Sequence, residues 1–162
     1  ADEVEFRNDI SDVFQACYFT NTNGNSLSQG MFYQFYNALY RTNSIMQKLE
    51  EKQGEFGEDF VNKVKAECLF IRGFYLFQLG KEFKNAPLRL TASQSPSTFP
   101  LEKSSQAEIW SQAEQDLLTA ASLLPVKNDV IGKPTKVQRM LCWVKYMYMK
   151  KTLIRQLKYW NL

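Results

Sequence analysis

Aromatic and amide side chains stand together near the N-terminus, and this combination could bind a sugar. Tyr18 and Phe19 precede residues 20–25, a segment rich in Asn and Thr. Aromatic rings stack on the C–H face of a pyranose, and amides hydrogen-bond its hydroxyls. Tyr18, Asn21 and Asn23 are therefore candidate glycan-binding residues. The alternative interpretation is an ordinary polar loop that follows two core aromatic residues.

Two further tyrosines fall on a predicted helix. Apolar residues recur at steps of three and four over residues 30–52, which predicts an amphipathic helix. Tyr33 and Tyr40 are expected to be the more exposed aromatic residues of this helix, and they complete the candidate glycan-binding set. The aromatic stripe of this helix, of which Tyr40 is itself a member, is otherwise expected in the core: Phe32, Phe35, Tyr36 and Tyr40.

The residues needed for catalysis do not come together in this sequence. There is no histidine, so the commonest general base is absent. The adjacent carboxylates Glu50–Glu51 and Glu58–Asp59 stand at the ends of predicted helices, where they are expected to face water and not to flank a glycosidic bond. No glycine-rich phosphate loop occurs. We predict a binding protein, not an enzyme, with no catalytic residue and no cofactor.

The three cysteines do not form a metal site. Cys17, Cys68 and Cys142 stand far apart, and no Cys-x-x-Cys pair exists. We expect no bound metal, and free thiols that are mostly buried.

The middle of the chain predicts a second helix over residues 58–84. Its apolar residues cover almost the whole circumference, so we expect packing on several sides. Gly73 lies mid-helix, where it would permit a close crossing of another helix. Its aromatic residues are expected in the core: Phe70, Phe74, Tyr75 and Phe77.

An extended linker and two more helices are predicted after this point. Residues 85–103 contain three prolines and read as extended, with Leu88–Leu90 as a short strand-like stretch. Ser105–Glu108 is a capping box, and the amphipathic helix that it opens ends at Pro125. A last helix begins at Pro134. Paired antiparallel helices with no strand-rich segment predict an all-α fold of helix hairpins.

Three charged residues are expected to lie inside this fold. Glu67 and Arg72 flank the packed second helix, and Asp116 stands beside the apolar Leu117. Because a buried charge needs a partner, we predict a structural ion pair or cap here and not a catalytic group.

Five segments, in this order, resemble the SusD/RagB family. The first is an aromatic stretch that ends in Asn, and the second is a helix with Glu-Ala and Phe-Ile-Arg. The third is the sequence Phe-Lys-Asn-Ala-Pro-Leu, with which the chain leaves that helix. The fourth is a helix that contains Asp-Leu and ends in Pro, and the fifth is Gly-Lys-Pro-Thr at the start of the next helix. The segments are Phe35–Asn43, Lys65–Phe77, Phe83–Leu88, Ser104–Pro125 and Gly132–Thr135. Each motif is weak alone, but their order and spacing over residues 33–136 are specific.

The resemblance implies an outer-membrane, surface-exposed lipoprotein with TPR-like helix pairs. Such a protein partners a SusC-like TonB-dependent transporter and binds an oligosaccharide or another nutrient without chemistry. Family members are several times longer, so residues 1–136 resemble the N-terminal helical region, and the signal and lipid anchor are expected outside this chain. Apolar surface normally covered by the remainder could drive self-association.

Residues 137–162 depart from the family pattern. They hold six basic residues and no acidic one, whereas residues 1–136 hold 14 basic and 17 acidic residues. A second reading frame begins at the last base of the Lys136 codon. In this frame the codon that overlaps Cys142 and Trp143 must encode Leu, and the codon that overlaps Met149 and Lys150 must encode Glu. One allowed codon choice gives a helix pair of the family type. Our hypothesis is that residues 137–162 are a frameshifted C-terminal tail that truncates the protein.

Other interpretations remain open at this stage. The basic tail with its Trp and Tyr residues resembles a nucleic-acid-binding strip or a membrane-surface helix, but the frameshift hypothesis predicts neither, so no nucleic acid is expected as a partner. The alternative function for the whole chain is a small TPR-like scaffold that binds another protein in a groove between hairpins.

Overall fold

The computed structural model describes residues 12, 13, 15, 20, 22, 24–52, 54–92 and 102–123. The last predicted helix, beginning at Pro134, and the tail 137–162 lie outside these residues. The chain divides into two compact units, Ala1–Asn37 and Ala38–Leu162. Three helices and two very short strands form the described part, in the order α1 (Ser26–Glu51), α2 (Glu58–Phe83), β1 (Ala86–Pro87), β2 (Lys103–Ser104) and α3 (Gln106–Leu123). The predicted all-α class is confirmed.

Helix α1 begins four residues earlier than the predicted residue 30. The Asn- and Ser-rich run before it reads as a loop, but Asn25 serves as an N-cap. Its side-chain oxygen accepts hydrogen bonds from the backbone N–H groups of Leu27, at 3.1 Å, and Ser28, at 3.3 Å. These are amides that the first turn of a helix leaves without a partner. The cap therefore extends the helix into sequence of low helix propensity.

Helix α2 matches its predicted bounds within one residue. Glu58 and Asp59 lie in its first turn, where negative charge is favourable, and Lys81 lies in its last turn. Lys84, which follows the helix, has φ of 56° and ends it.

The segment between α2 and α3 contains a two-residue antiparallel ladder. Ala86 pairs with Ser104, and Pro87 pairs with Lys103. The predicted strand-like stretch Leu88–Leu90 was misplaced, because those residues follow β1 and form no ladder.

Helices α2 and α3 are antiparallel and pack closely through small residues. Gly73 lies against Leu117 and Ala113, and Gly80 lies against Trp110, so the contact partners run in opposite directions along the two helices. A Cβ on Gly73 would stand 2.8 Å from Leu117 Cγ and 3.0 Å from the backbone oxygen of Ala113. The predicted close crossing at Gly73 is confirmed.

The core lies where the three helices meet. Ala66, Leu69 and Ala120 form a buried cluster, with Met46 of α1 and Phe70 packed against it. Helix α3 starts at the predicted capping box: the backbone N–H of Ser105 donates to Glu108 at 2.7 Å, and that of Glu108 donates to the Ser105 hydroxyl at 3.3 Å.

Several aromatic residues predicted to be core are only half-buried. Phe77 is fully buried and stacks on Trp110, with ring centroids 6.1 Å apart. The reason for the difference is that small residues of α2 make the closest helix contacts, so large rings lie at the margins of the packed face. The half-buried rings are Phe32, Phe35, Tyr36, Phe70, Phe74 and Tyr75.

Candidate functional site

The predicted polar loop divides into a structural residue and exposed neighbours. Asn25 is only 1% exposed, because it caps α1 and its amide donates to the backbone oxygen of Asp12 at 2.9 Å. Thr20, Thr22 and Gly24 are exposed. The candidates Tyr18, Asn21 and Asn23 lie outside the described residues, so their role stays a prediction.

Asp12 also holds the start of α1. Its carboxylate accepts hydrogen bonds from the backbone N–H of Ser26, at 3.0 Å, and from the Ser26 hydroxyl. Both hydrogen bonds lower the pKa of Asp12 below its usual value, and the bond from the Ser26 hydroxyl has the larger effect. A carboxylate at this end of a helix also meets the favourable end of the helix dipole. Asp12 is therefore held against the first residue of α1 by charge-assisted hydrogen bonds.

Tyr33 and Tyr40 are both exposed on α1. Tyr33 is 72% exposed and Tyr40 is 52% exposed. By contrast, Phe32 and Tyr36 contact one another with ring centroids 4.6 Å apart and are half-buried. The two exposed tyrosines each present a flat ring and a hydroxyl to solvent, as stacking on a sugar requires.

A second exposed aromatic pair was missed in the sequence. Phe56 lies in the turn after α1 and Phe60 lies in the first turns of α2; their ring centroids are 5.4 Å apart and their planes are tilted by 37°. The available signal was the placement of Phe56 between two glycines, Gly54 and Gly57, which marks a turn with an apolar tip.

Two of the three charged residues predicted inside the fold, Arg72 and Asp116, form a network and not a reactive site, whereas Glu67 is half-buried and lies outside this network. Arg72 binds Asp116 through two parallel hydrogen bonds, Nε to Oδ2 at 2.6 Å and Nη2 to Oδ1 at 2.8 Å. Gln112 donates a third hydrogen bond to the carboxylate, at 2.9 Å. Because each oxygen of Asp116 is occupied, the predicted structural ion pair is confirmed.

The same network joins α1 and the segment after β1. Arg72 Nη1 donates to the side-chain oxygen of Asn43 at 3.1 Å and to the backbone oxygen of Leu90 at 3.3 Å. The Asn43 amide donates to the backbone oxygen of Arg89 at 3.2 Å. Asn43, Arg72 and Asp116 come from three of the motifs that carry the family resemblance. Those motifs therefore contain the residues whose hydrogen bonds connect the three helices.

The other carboxylates of the described residues do not come together in a group of three or more that could hold a metal ion. Glu50, Glu51, Glu58 and Asp59 are exposed, as expected. Glu108 is hydrogen-bonded by the backbone and side chain of Ser105, which lowers its pKa. These carboxylates act at helix ends.

Cys68 is a free, buried thiol, as predicted. Burial raises its pKa above the usual value, the charge of Glu67 adds to that effect, and Arg72 opposes it. The thiol is therefore held in its protonated, unreactive form. Cys17 and Cys142 lie outside the described residues.

A small groove lies between the end of α1 and the start of α2. Its volume is about 150 Å³, and its lining residues are Met46, Leu49, Glu50, Val61 and Lys65. Enclosed small-molecule sites have volumes of roughly 300–1,000 Å³, so this groove is smaller than the usual binding cavity.

Comparison with family models gives one match. Residues 4–139 match a SusD-like family described as starch-binding and associating with the outer membrane. No curated protein matches the sequence. None of the described helices combines the length and the apolar character needed to cross a membrane.

Solved structures give the same family. A SusD superfamily protein from Bacteroides vulgatus ATCC 8482 is 68% identical, with a TM-score of 0.87; the match covers 98% of this chain and 34% of that one. A laminarin-binding SusD-like protein is 27% identical, with a TM-score of 0.67, over 75% of this chain and 26% of that one.

A third neighbour shows the fold alone. The surface glycan-binding protein A from Bacteroides fluxus is 20% identical, with a TM-score of 0.77, over 91% of this chain and 31% of that one. The helices share the TPR-like arrangement of the SusD-like structures. The chain spans about a third or less of the length of each of these three structures.

Proposed function

Because this chain belongs to the SusD-like family, we propose that it is the N-terminal helical part of a protein that captures an oligosaccharide or another nutrient without altering it. The observation that carries the proposal is the family match over residues 4–139 together with 68% identity to a SusD superfamily structure. The family is described as starch-binding, and the SusD-like neighbour of 27% identity is named as laminarin-binding.

The exposed tyrosines support binding by stacking. Tyr33 lies on the part of α1 that Asn25 caps, and Tyr40 lies on the part that Asn43 joins to α2. Tyr18, Asn21 and Asn23 are proposed to supply the other ring and the amides. Sugar binding then uses ring stacking and hydrogen bonds to hydroxyls, with no bond broken.

The proposed setting is the outer membrane. The family description supports outer-membrane association. We propose in addition that the protein is exposed at the cell surface, that a lipid anchors it, and that a SusC-like TonB-dependent transporter is its partner. Copurification of the tagged protein with such a transporter from outer membranes tests this part, and recovery of the protein alone from solubilised membranes would contradict it.

The binding test uses two glucans named by the comparisons, starch fragments and laminarin, followed by an array of neutral and charged polysaccharides. We expect the chain to bind at least one of them by isothermal titration calorimetry. Tyr33→Ala and Tyr40→Ala should each raise Kd by about three- to tenfold, because each removes one stacking ring.

The control is Ile45→Ala, an exposed apolar residue of the same helix that carries no ring. It should leave Kd unchanged. Failure to bind every polysaccharide tested would overturn the proposed function, and unchanged Kd in both tyrosine variants would remove these residues from the site.

Exposed aliphatic residues favour one other function, the protein-binding scaffold. Ile71 of α2 and Leu118 of α3 are exposed and could be covered by a protein. Sedimentation velocity distinguishes the two functions. A chain that binds glycan and stays monomeric supports capture of nutrients, whereas self-association lost in Leu118→Ser, without glycan binding, supports the scaffold.

A further inference from the structure

Two phenyl rings stand in solvent where α1 turns into α2. Phe56 is 42% exposed and Phe60 is 51% exposed. Their ring contact, with centroids 5.4 Å apart, holds each ring against the other. Exposed apolar rings are unfavourable in water, and rings that are already oriented lose little freedom when a ligand covers them. The pair therefore has the form of a preorganised binding surface.

The backbone leaves this surface open. Gly54 has φ of 95°, which a residue with a Cβ adopts only with strain, and this lets the chain turn sharply before Phe56. A Cβ added to Gly54 or Gly57 would meet nothing within 4 Å. The rings are consequently approachable from the side of the turn.

The charge around the rings is negative. Residues 50–63 hold five carboxylates and two lysines, and one of these lysines, Lys63, is exposed one helical turn after Phe60. The other, Lys52, is paired with Glu55 at 2.8 Å. The remaining carboxylates repel an anionic ligand and can accept hydrogen bonds from hydroxyl groups. The carboxylates are Glu50, Glu51, Glu55, Glu58 and Asp59.

The exposed apolar area of the two rings matches a small ligand better than a protein partner. The exposed parts of the two rings amount to roughly 200 Å². A stable protein interface covers about 800 Å² on each partner. Within the described residues 50–52 and 54–60, no other large apolar side chain is exposed. An uncharged sugar ring, with one apolar face and hydroxyls at its edge, fits both the area and the charge.

We propose that Phe56 and Phe60 form a stacking subsite for an uncharged sugar ring, in addition to the surface that carries Tyr33 and Tyr40. This inference rests on the proposed function, because it assigns a further part of the chain to the same oligosaccharide ligand. It also names the ligand class as neutral glycan and excludes chains of uronic acids.

The test measures Kd by isothermal titration calorimetry for the neutral glycan that the unsubstituted chain binds, and for a uronic-acid oligosaccharide of equal length. We expect Phe56→Ala/Phe60→Ala to raise Kd for the neutral glycan about tenfold, since two stacking rings are lost. Ile45→Ala, which trims an apolar side chain of similar exposure on α1, is the matched control and should leave Kd unchanged.

A second variant separates ring stacking from apolar bulk. Phe56→Leu/Phe60→Leu keeps the apolar volume without the flat faces, and it should lose affinity to a similar extent while its circular dichroism spectrum stays unchanged. If the alanine variant fails to fold, the leucine variant decides alone. Glu58→Gln/Asp59→Asn should strengthen binding of the uronic-acid oligosaccharide, because it removes two repelling charges.

The outcomes separate this inference from the function on which it rests. Failure of the unsubstituted chain to bind any glycan overturns both. Glycan binding that persists unchanged in the folded leucine variant overturns the subsite and leaves the function intact. A phenylalanine variant that alters only self-association in sedimentation assigns the rings to a protein contact, which also overturns the subsite.

Discussion

Individual residues show which parts of the sequence pattern encode structure and which remain for binding. Arg72 and Asp116 read as buried charges that require a partner, and the structure pairs them. The further bonds of Arg72 to Asn43 and Leu90 could not be foreseen, because they depend on how α1 and the segment after β1 approach α2. The exposure of Phe56 and Phe60 also depends on how the helices pack, and apolar rings in a sequence usually indicate core positions.

The Arg72–Asp116 pair predicts a large difference between buried and exposed ion pairs. Arg72→Met should lower the free energy of unfolding by about 3–5 kcal/mol, because it leaves the carboxylate of Asp116 buried without its charge partner. The control is Lys52→Met, which breaks the exposed pair with Glu55 and should cost about 0–1 kcal/mol. Urea unfolding followed by circular dichroism gives both values.

Replacement of both buried charges provides a check on this reasoning. Arg72→Met/Asp116→Leu should recover part of the stability lost in the single variant, since no unpaired charge remains. Equal effects for Arg72→Met and Lys52→Met would contradict the role given to the network.

The helices show how local signals set element ends. The capping box Ser105–Glu108 was readable because each residue satisfies the other's amide, and it depends on no distant contact. The start of α1 was misplaced because its cap, Asn25, stands in a run of residues that favour loops, and Asp12 supports that cap from 13 residues away. Sequence reasoning therefore succeeds where a helix end is self-contained.

The close packing of α2 against α3 predicts opposite effects for alanine at two helical glycines. Gly73→Ala should destabilise the chain by about 1–3 kcal/mol, because its Cβ would press on Leu117 and on the backbone of Ala113. Gly30→Ala in α1, where nothing lies within 4 Å, should stabilise it by about 0.5–1 kcal/mol.

Thermal unfolding of the two glycine variants under one buffer condition measures both effects. An increase in melting temperature for Gly73→Ala similar to that for Gly30→Ala would show that the helices can separate without cost, and would contradict the close crossing.

At the level of the whole molecule, the sequence predicted both the order of the helices and the family, because the motifs that carry both signals lie in the same part of the chain. The motifs Phe35–Asn43 and Lys65–Phe77 supply Asn43 and Arg72 to one network, so their order along the sequence follows from a shared three-dimensional requirement. The candidate site was less predictable, because Asn25 proved structural and the aromatic pair at the α1–α2 turn was not singled out. Binding residues leave a weaker sequence signal than the packing that supports them.

The hypothesis that residues 137–162 are a frameshifted tail is tested on the nucleotide sequence of the gene. The family match ends at residue 139, whereas the match to the 68% identical structure covers 98% of this chain, so the two comparisons do not decide the hypothesis. We expect the nucleotide sequence downstream to encode a SusD-like remainder in the shifted frame, with a transporter gene beside it. A single unshifted frame that encodes family-like sequence beyond Leu162 would contradict the hypothesis.

The short ladder between Ala86–Pro87 and Lys103–Ser104 has a consequence for sequence variation. It brings the chain back to the place where it left α2. Of the residues between the strands, Arg89 and Leu90 still accept hydrogen bonds from Asn43 and Arg72, so it is the number of residues after Leu90, over 91–102, that can change while the ladder stays in place. Lengthening a closed loop costs little, about 0.6 kcal/mol for each doubling. This segment is therefore a natural point for insertions and deletions, through which related proteins can diversify a surface while they retain one helical frame.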